Sequence, residues 1–161
     1  QTCFKYDQVK PYFDRFLLSA QPHLLLHSCH QLMTQVIKSY ELMKSQFSIA
    51  AMDLGGVPVG TVLSMLMNVP LILVRKDPNL TNGQHFIEGG DVENKDIVVI
   101  EDLITHGITV INTVTKLKED GAKINLILTL VEDDRHFGRD NIKSSFPEVP
   151  MVSLFKLSEL M

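Results

Sequence analysis

The sequence predicts an α/β fold with a mainly parallel central sheet flanked by helices. Five short apolar runs lack the polar alternation of a half-exposed strand, which is typical of strands buried on both faces of a parallel sheet. Segments with helical spacing of apolar residues separate these runs, as expected for strands joined by helical crossovers. The five runs are residues 47–52, 70–74, 97–100, 124–131 and 151–155.

Length, charge and hydrophobicity indicate which classes of protein the chain can belong to. The chain has 161 residues, the usual length of one domain, and we expect residues 1–161 to form a single unit. The net charge of −4 argues against a nucleic-acid-binding protein, which needs a basic surface. No run approaches about eighteen apolar residues, so we expect no membrane span. Without a signal-peptide pattern, we expect a cytoplasmic protein in which Cys3 and Cys29 are reduced.

The N-terminal segment is predicted to be mainly helical. Apolar residues at helical spacing predict a helix over residues 6–19, with Pro11 in its first turn. Pro22 is expected to break any helix there, and residues 24–26 are expected to form a short strand. A second set of apolar residues at helical spacing predicts a helix over residues 28–46, packed on the sheet.

Three histidines, His23, His27 and His30, lie close to Cys29 and raise the question of a zinc site, because imidazole and thiolate are common zinc ligands. Their spacing fits no compact zinc finger, and a change from strand to helix between them would scatter the side chains. We therefore favour the simpler interpretation, that these histidines lie at a partly exposed edge of the protein.

The middle of the chain alternates buried strands with connections. The strand over residues 47–52 is followed by a glycine-rich turn over residues 53–60 and a predicted helix over residues 61–67. The strand over residues 70–74 runs into residues 75–85, which are rich in Pro, Asn and Gly and are expected to form a mobile loop. Near the C-terminus we predict a charged connection over residues 132–139 and a helical turn over residues 140–145.

Residues 97–109, IVVIEDLITHGIT, organise the rest of the chain. The apolar residues 97–100 are β-branched and predict a buried strand, with Glu101 and Asp102 at its carboxyl end. Helical spacing begins at Val110, directly after a turn rich in Thr and Gly, and Gly121 stands where a helix commonly ends. The sequence therefore predicts a strand, a loop and a helix.

This strand, loop and helix predict a phosphate site. Backbone N–H groups at a helix N-terminus have no helical partners and lie at the positive end of the helix dipole. Thr105 and Thr109 add hydroxyl donors, and Gly107 allows the backbone to approach an anion closely. Glu101 and Asp102 would repel a phosphate, so they are better explained as acceptors for sugar hydroxyls or as groups supporting a bound cation. The pattern indicates a ribose 5-phosphate site; the simpler alternative is a buried strand that ends in an ordinary capped turn.

The residues also carry a family resemblance. Residues 98–110 closely resemble the PRPP-binding motif of type I phosphoribosyltransferases. Residues 53–60 resemble the pyrophosphate-binding turn of orotate phosphoribosyltransferases, and residues 74–77 and 87–89 resemble the two ends of their flexible catalytic loop. Arg135, with Gly138 and Arg139, resembles the segment that contacts orotate in that family.

The resemblance implies a fold and a reaction. The fold would be that of a type I phosphoribosyltransferase, with residues 1–46 forming N-terminal helices and a small hood-like segment over the PRPP-binding core of residues 47–161. The enzyme would transfer ribose 5-phosphate from PRPP to a pyrimidine base, converting orotate to orotidine 5′-monophosphate with release of pyrophosphate. Mg²⁺ would accompany PRPP, and the protein would be a cytoplasmic homodimer with PRPP and a nucleobase as its substrates.

The resemblance also implies roles for individual residues. The 5-phosphate would be held by Thr105, His106, Gly107, Ile108 and Thr109, and the ribose by Glu101 and Asp102. The pyrophosphate would be bound by Val57, Pro58, Val59, Arg75 and Lys76, and the base by Thr105 and Arg135. The catalytic residues would be Lys76, Asp102 and His85, and no residue is expected to bind a metal directly.

Five positions depart from the family pattern. Asn79 stands where the flexible loop has a second lysine, and Thr81 where it has a His or Tyr; His85 is the only titratable substitute in this loop. In the N-terminal base site Leu18 replaces the lysine and Ala20 the glycine, and Leu24 stands where an aromatic residue is expected. These departures leave two alternatives open: a catalytically weak or inactive homologue that binds PRPP or a nucleotide as a regulator or sensor, and a scaffold that has kept only the fold.

Overall fold

The computed structural model describes residues 4–7, 10–38 and 46–160 of the chain. Its strands are β1 Phe4–Asp7, β2 Lys10–Phe13, β3 Phe47–Met52, β4 Leu71–Val74, β5 Ile87–Glu88, β6 Asp96–Ile104, β7 Lys123–Glu132 and β8 Met151–Lys156. Its helices are α1 Arg15–Ser19, α2 Pro22–Lys38, α3 Gly56–Met67, α4 Ile108–Glu119 and α5 Gly138–Ser145, with short 3₁₀ helices at Leu80–Asn82 and Leu157–Glu159.

The predicted α/β class is confirmed. Strands β3 to β8 form one six-stranded sheet in the order β5-β4-β3-β6-β7-β8, in which only the edge strand β5 runs antiparallel to its neighbour. Helices α2 and α3 pack on the face that carries Val98 and Ile100, and helices α4 and α5 on the face that carries Ile97 and Val99. Strand β6 is therefore buried on both faces, as its continuous apolar run predicts.

The central strand is longer than its apolar run. β6 extends from Asp96 to Ile104, so Glu101 and Asp102 lie within the strand, whereas the sequence predicted them at its carboxyl end. Parallel pairing with β7 continues past both acids, as far as the pair Ile104 and Glu132. Because consecutive strand residues face opposite sides of a sheet, the two carboxylates are directed towards different helical layers.

Helix α3 begins earlier than expected, because glycines in the predicted turn belong to the helix. A Cβ at Gly56 would lie 2.7 Å from the carbonyl oxygen of Ile100, and one at Gly60 would lie 2.6 Å from Cβ of Ala51. The glycines therefore serve the close approach of α3 to the sheet. A helix over residues 61–67 was the prediction, and the structure adds the turn over residues 56–60 to it.

The predictions for the N-terminal segment are partly wrong. The expected helix over residues 6–19 is replaced by an antiparallel hairpin of β1 and β2, followed by α1, whose first turn is capped by Asp14: its Oδ1 accepts the amide of Leu17 at 3.0 Å. The short strand expected over residues 24–26 lies inside α2, because Pro22 occupies the first helical position, where no N–H is needed. Of the helix predicted over residues 28–46, residues 39–45 lie outside the described part.

The remaining predicted helices and strands are confirmed with small shifts at the ends. The strands over residues 47–52, 124–131 and 151–155 and the helix after the Thr and Gly turn are all present, and α5 begins two residues before the predicted helical turn. The loop over residues 75–85 contains only a 3₁₀ turn. Among the described residues, no helix is long and apolar enough to cross a membrane.

We predict that Cys29 is chemically silent in the folded protein. Its side chain is fully buried, and burial raises the pKa of the thiol from 9.0 to about 11. A shift of this size lowers the thiolate fraction near neutral pH by about 100-fold, and the thiolate is the reactive form. Cys3 lies outside the described residues, so the test uses a Cys3→Ser variant and a chromogenic thiol reagent at pH 8, with and without denaturant. Equal rates in the two conditions would contradict the buried position.

Candidate active site

Three connections meet at the carboxyl edge of the sheet, where open α/β sheets place their ligands. They follow β3, β4 and β6, and the strands lie side by side in the order β4-β3-β6. We call residues 105–109 after β6 the phosphate loop and residues 53–59 after β3 the pyrophosphate turn. The structure thus brings together the segments that the sequence predicted to bind the two ends of one ligand.

The phosphate loop leads directly into helix α4. Gly107 has a φ of +78° and precedes the first helical residue, and no side chain caps the helix. The free N–H groups of the first turn therefore remain available to an anion. The loop lines a small cavity of about 150 Å³ that also includes Glu101. His106, Ile108 and Thr109 in this loop are exposed, and Thr105 is half-buried.

Helix α5 supports the phosphate loop from behind. The side-chain amide of Asn141 donates to the carbonyl of His106 at 3.0 Å. A Cβ at Gly107 would lie 2.8 Å from the carbonyl oxygen of Gly138, and a Cβ at Gly138 would lie 2.1 Å from the carbonyl oxygen of Thr105. Glycine at both positions allows the two backbones to touch, so the conformation of the loop depends on α5.

The two acids of β6 are buried and face different parts of the site. Glu101 is 6% and Asp102 4% exposed. The amide of Asp102 donates to Oε1 of Glu101 at 3.0 Å, and the amide of Leu103 donates to Oδ1 of Asp102 at 2.7 Å. Glu101 lines the cavity of the phosphate loop, whereas the carboxylate of Asp102 lies against Gly55 at the start of α3. The acid pair therefore lies between two helix N-termini.

The pyrophosphate turn contributes its backbone more than its side chains. Val57 and Pro58 are half-buried, and Val59 is buried in the apolar core between α2, α3 and the sheet. All three stand in the first turn of α3, and the preceding Asp53–Leu54 peptide bond is cis. Since Pro58 has no N–H, Val57 and Val59 carry the backbone donors of this stretch. The amide of Val57 makes a long hydrogen bond of 3.4 Å to the carbonyl of Leu54, which an anion would have to replace.

The basic residues after β4 differ in their surroundings. Arg75 is tied to the far end of the loop, because its amide donates to the carbonyl of Phe86 at 2.8 Å and its Nε lies 3.4 Å from Oε1 of Glu88. The amide of His85 and the Arg75 guanidinium together lower the pKa of the Glu88 carboxyl. Lys76 is exposed and lines a cavity of about 300 Å³ together with Ile108 and Thr109 of the phosphate loop.

His85 lies apart from the other predicted catalytic residues. It is exposed, and it lines a separate cavity with Lys116, Glu119 and Asp120. The Nζ of Lys116 lies 3.7 Å from the centre of the ring of the neighbouring residue, Phe86. Lys116 lines this cavity and also the one that contains Lys76, but no motif in the sequence distinguishes it from an ordinary surface lysine of a helix.

Arg135 is held by an acid that the sequence did not single out. Its Nε and one terminal nitrogen donate to the two carboxylate oxygens of Asp133 at 2.8 and 2.7 Å, and these bonds raise the pKa of the arginine and lower that of Asp133. The ring of His136 lies 3.7 Å from the same carboxylate, and its centre is 4.4 Å from that of His106. Arg135 is therefore held in a fixed orientation by Asp133, and its neighbour His136 contacts His106 of the phosphate loop.

Arg139 links helix α5 to the sheet through hydrogen bonds. Its guanidinium binds the buried carboxylate of Glu132, the hydroxyl of Ser153 and the carbonyl of Met151. Burial works against ionisation of Glu132, yet Arg139 and Ser153 hold the pKa of this carboxyl below its ordinary value. This network ties α5 to β7 and β8, and so supports the helix on which the phosphate loop rests.

The histidines near Cys29 follow one face of α2 and are exposed, whereas Cys29 faces the core. The change from strand to helix that was expected to scatter them does not occur. Within the described ranges, no group of three or more His, Cys, Asp or Glu side chains could hold a metal ion.

Sequence comparisons agree with this geometry. The family described as the phosphoribosyl transferase domain matches residues 20–153. An orotate phosphoribosyltransferase of Nocardioides sp. is 30% identical over 125 residues, which cover 78% of this chain and 66% of that protein. An orotate phosphoribosyltransferase of Pyrococcus horikoshii is 35% identical over 122 residues, covering 74% and 64%. The chain thus spans slightly less than two thirds of the length of these relatives.

Solved structures share the fold. A UMP synthase of Leishmania donovani superposes with a TM-score of 0.80 at 22% identity, covering 98% of this chain and 34% of that one. An orotate phosphoribosyltransferase of Mycobacterium tuberculosis in complex with PRPP gives a TM-score of 0.72 at 19% identity, covering 92% and 83%. At these identities the likeness establishes the fold alone.

We predict that Gly138→Ala disturbs the phosphate loop. Its Cβ would lie 2.1 Å from the carbonyl oxygen of Thr105 and 2.8 Å from Cγ2 of Ile104, so one backbone must move. Forcing such a contact costs roughly 1–3 kcal/mol of folding free energy. Urea denaturation of this variant is compared with that of Ser144→Ala, which introduces alanine at an exposed position of the same helix. Equal stability of the two variants would contradict the close contact between α5 and the loop.

Proposed function

The chain belongs to the type I phosphoribosyltransferase family, and on this basis we propose that it transfers the ribose 5-phosphate group of PRPP to a nucleobase with release of pyrophosphate. The observation that carries the proposal is the position of Glu101 and Asp102. Both acids are buried between the phosphate loop and the first turn of α3. A phosphorylated sugar that presents hydroxyls to carboxylates and anionic groups to helix N-termini matches this arrangement.

In this proposal each segment binds one part of PRPP. The backbone amides and the threonine hydroxyls of residues 105–109 hold the 5-phosphate, and the carboxylates of Glu101 and Asp102 accept hydrogen bonds from the ribose hydroxyls. The amides of Val57 and Val59, with Arg75 and Lys76, bind the pyrophosphate. As the bond to the pyrophosphate breaks, negative charge accumulates on the leaving group, and fixed cations and N–H dipoles stabilise it.

Mg²⁺ fits the donor groups of this site. Mg²⁺ is commonly bound through one or two carboxylates together with substrate phosphates and water. Glu101 and Asp102 supply carboxylates beside both anion-binding turns, and they would support the ion through water or the ribose hydroxyls. The ion would neutralise part of the charge on the leaving pyrophosphate.

The base that we propose is orotate. Support comes from the curated relatives, which are named orotate phosphoribosyltransferases. We assign Arg135, which is oriented by Asp133, as the cation for the orotate carboxylate, and Thr105 as a second contact. Leu18 is buried in the apolar core and offers no charge. Transfer is preferred over the alternative of an inactive PRPP sensor, because these named relatives are enzymes.

The proposal also covers domain organisation, localisation and oligomeric state. We propose that residues 1–161 act as one unit, with residues 1–46 covering the core of residues 47–161, and that the protein works as a cytoplasmic homodimer. Three large apolar side chains on the loops around the site, Leu54, Ile108 and Phe137, are exposed, which is typical of surfaces that meet a partner. Light scattering of the purified chain measures the oligomeric state directly.

The test of this function is a turnover assay with PRPP, orotate and Mg²⁺, in which orotidine 5′-monophosphate and pyrophosphate are separated by chromatography and quantified. The proposal expects both products in equal amounts and no product without Mg²⁺. PRPP consumption that yields ribose 5-phosphate with orotate or without it would show hydrolysis, and would contradict transfer.

We predict that Asp102→Asn weakens PRPP binding by about 10-fold, since a neutral amide accepts hydroxyl hydrogen bonds less strongly than a carboxylate. The substitution preserves shape, and the amide of Leu103 can still donate to the side-chain oxygen. Asp96→Asn, at the opposite end of the same strand, is the matched control. Unchanged PRPP affinity in Asp102→Asn would contradict the ribose assignment.

A further inference from the structure

The cavity that contains Lys76 has a pronounced positive charge. Three cationic residues line it, Arg75, Lys76 and Lys116, and no Asp or Glu is among its lining residues. The neutral polar residues of its wall are Thr109, Asn112 and Thr113, all on helix α4. A cavity of about 300 Å³ with this composition attracts an anion that can accept several hydrogen bonds.

Lys116 enters this cavity from the last turn of α4. Residues 109, 112, 113 and 116 lie on one face of the helix, because their spacing follows the helical period. The hydroxyl of Thr113 is already used, donating to the carbonyl of Thr109 at 3.0 Å and lying 3.2 Å from Sδ of Met52. Thr113 therefore closes the floor of the cavity, while Asn112 and Lys116 offer donors at its side.

The charge of Lys116 is not matched by a carboxylate. Among the described residues, Arg75, Lys118, Arg135 and Arg139 each form an ion pair, with Glu88, Glu148, Asp133 and Glu132 respectively. No such pair within 4.0 Å is found for Lys116 in the same part of the chain; its Nζ contacts the face of the Phe86 ring at 3.7 Å. A ring face is a weak partner for an ammonium group compared with a phosphate oxygen.

The loop over residues 75–85 does not supply this charge. Asn79 and Thr81 are exposed and bonded within the loop: the Thr81 hydroxyl donates to Oδ1 of Asn79 at 2.7 Å, and the Asn79 amide donates to Oε1 of Gln84 at 2.8 Å. Neither residue lines the cavity. Among the described residues that line this cavity, Lys116 on helix α4 is the cation present besides Arg75 and Lys76.

We propose that Lys116 is a further ligand of the diphosphate end of PRPP, binding it across the cavity from Arg75 and Lys76. The inference rests on the proposed function for the identity of the ligand, but the cavity itself requires only a diphosphate. When the anion enters, the ammonium group exchanges the Phe86 ring for phosphate oxygens. Lys116 thereby places a positive charge beside the leaving pyrophosphate. This charge is carried by a rigid helix and not by the loop.

The test is calorimetric titration with inorganic pyrophosphate in the presence of Mg²⁺, and separately with ribose 5-phosphate. Lys116→Met is expected to weaken pyrophosphate binding by about 10-fold, the usual effect of losing one charge-assisted hydrogen bond, while ribose 5-phosphate affinity stays within about twofold. Lys116→Arg should retain most of the pyrophosphate affinity. Lys118→Met is the matched control, because it removes a lysine of the same helical turn that pairs with Glu148, and it should behave like the wild type.

A second variant separates direct contact from support of the loop. Phe86→Leu removes the ring beneath Lys116 but leaves the ammonium group, so it should keep or strengthen pyrophosphate binding. Equal losses in Lys116→Met and Phe86→Leu would overturn the proposal, since Lys116 would then act by anchoring the loop. Unchanged pyrophosphate binding in Lys116→Met, or no pyrophosphate binding by the wild type, would also overturn it.

The two proposals fail in different ways. If the wild type binds pyrophosphate through Lys116 but neither binds nor consumes PRPP, the proposed function fails and the role of Lys116 in diphosphate binding is supported. If the wild type converts PRPP and orotate while Lys116→Met binds pyrophosphate equally well, the proposed function is supported and the inference about Lys116 is overturned.

Discussion

Backbone contacts that only glycine permits hold the candidate site together. Gly56 brings the first turn of α3 against the carbonyl of Ile100 in β6, and Gly107 and Gly138 bring the phosphate loop against α5. A side chain at Gly56 would push α3 away from β6, and one at Gly107 or Gly138 would push the phosphate loop away from α5. The distance between the turns is thus set by the packing of rigid elements, so the site is formed before a ligand arrives, which lowers the entropy that binding must overcome.

The acidic and the basic residues of the candidate site lie in separate places. Glu101 and Asp102 lie buried on β6, where backbone amides donate to them, and the cationic residues Arg75, Lys76 and Lys116 line a neighbouring cavity. A ligand with hydroxyls at its centre and anionic groups at both ends can satisfy both sets, whereas a simple anion satisfies only one. In the proposed function, this division allows the acids to stand close to phosphate-binding turns without repelling the ligand as a whole.

The sequence predicted the parts of the structure that local patterns determine. Continuous apolar runs identified β3, β6 and β7, and the Thr and Gly turn before α4 identified the phosphate loop. Tertiary contacts determined the rest. Pairing with β7 extended β6 through its acids, close packing drew Gly56 into α3, and the Pro22 that was expected to break a helix begins α2 instead. Lys116 could not be recognised beforehand, because its neighbours Lys76 and Phe86 are distant in sequence. Asp133 is only two residues from Arg135, but no pattern in the sequence shows that their side chains bond to each other.

The central claim is that this edge of the sheet is one continuous site for PRPP. Calorimetric titration of the purified chain with PRPP in the presence of Mg²⁺ tests it most directly, because binding is measured without assuming a base. The account predicts saturable binding with about one site per chain, competed by both ribose 5-phosphate and pyrophosphate, since each occupies one half of the site. No binding heat at several temperatures, or binding that only one of the two competitors displaces, would contradict a site that joins the phosphate loop to the pyrophosphate turn.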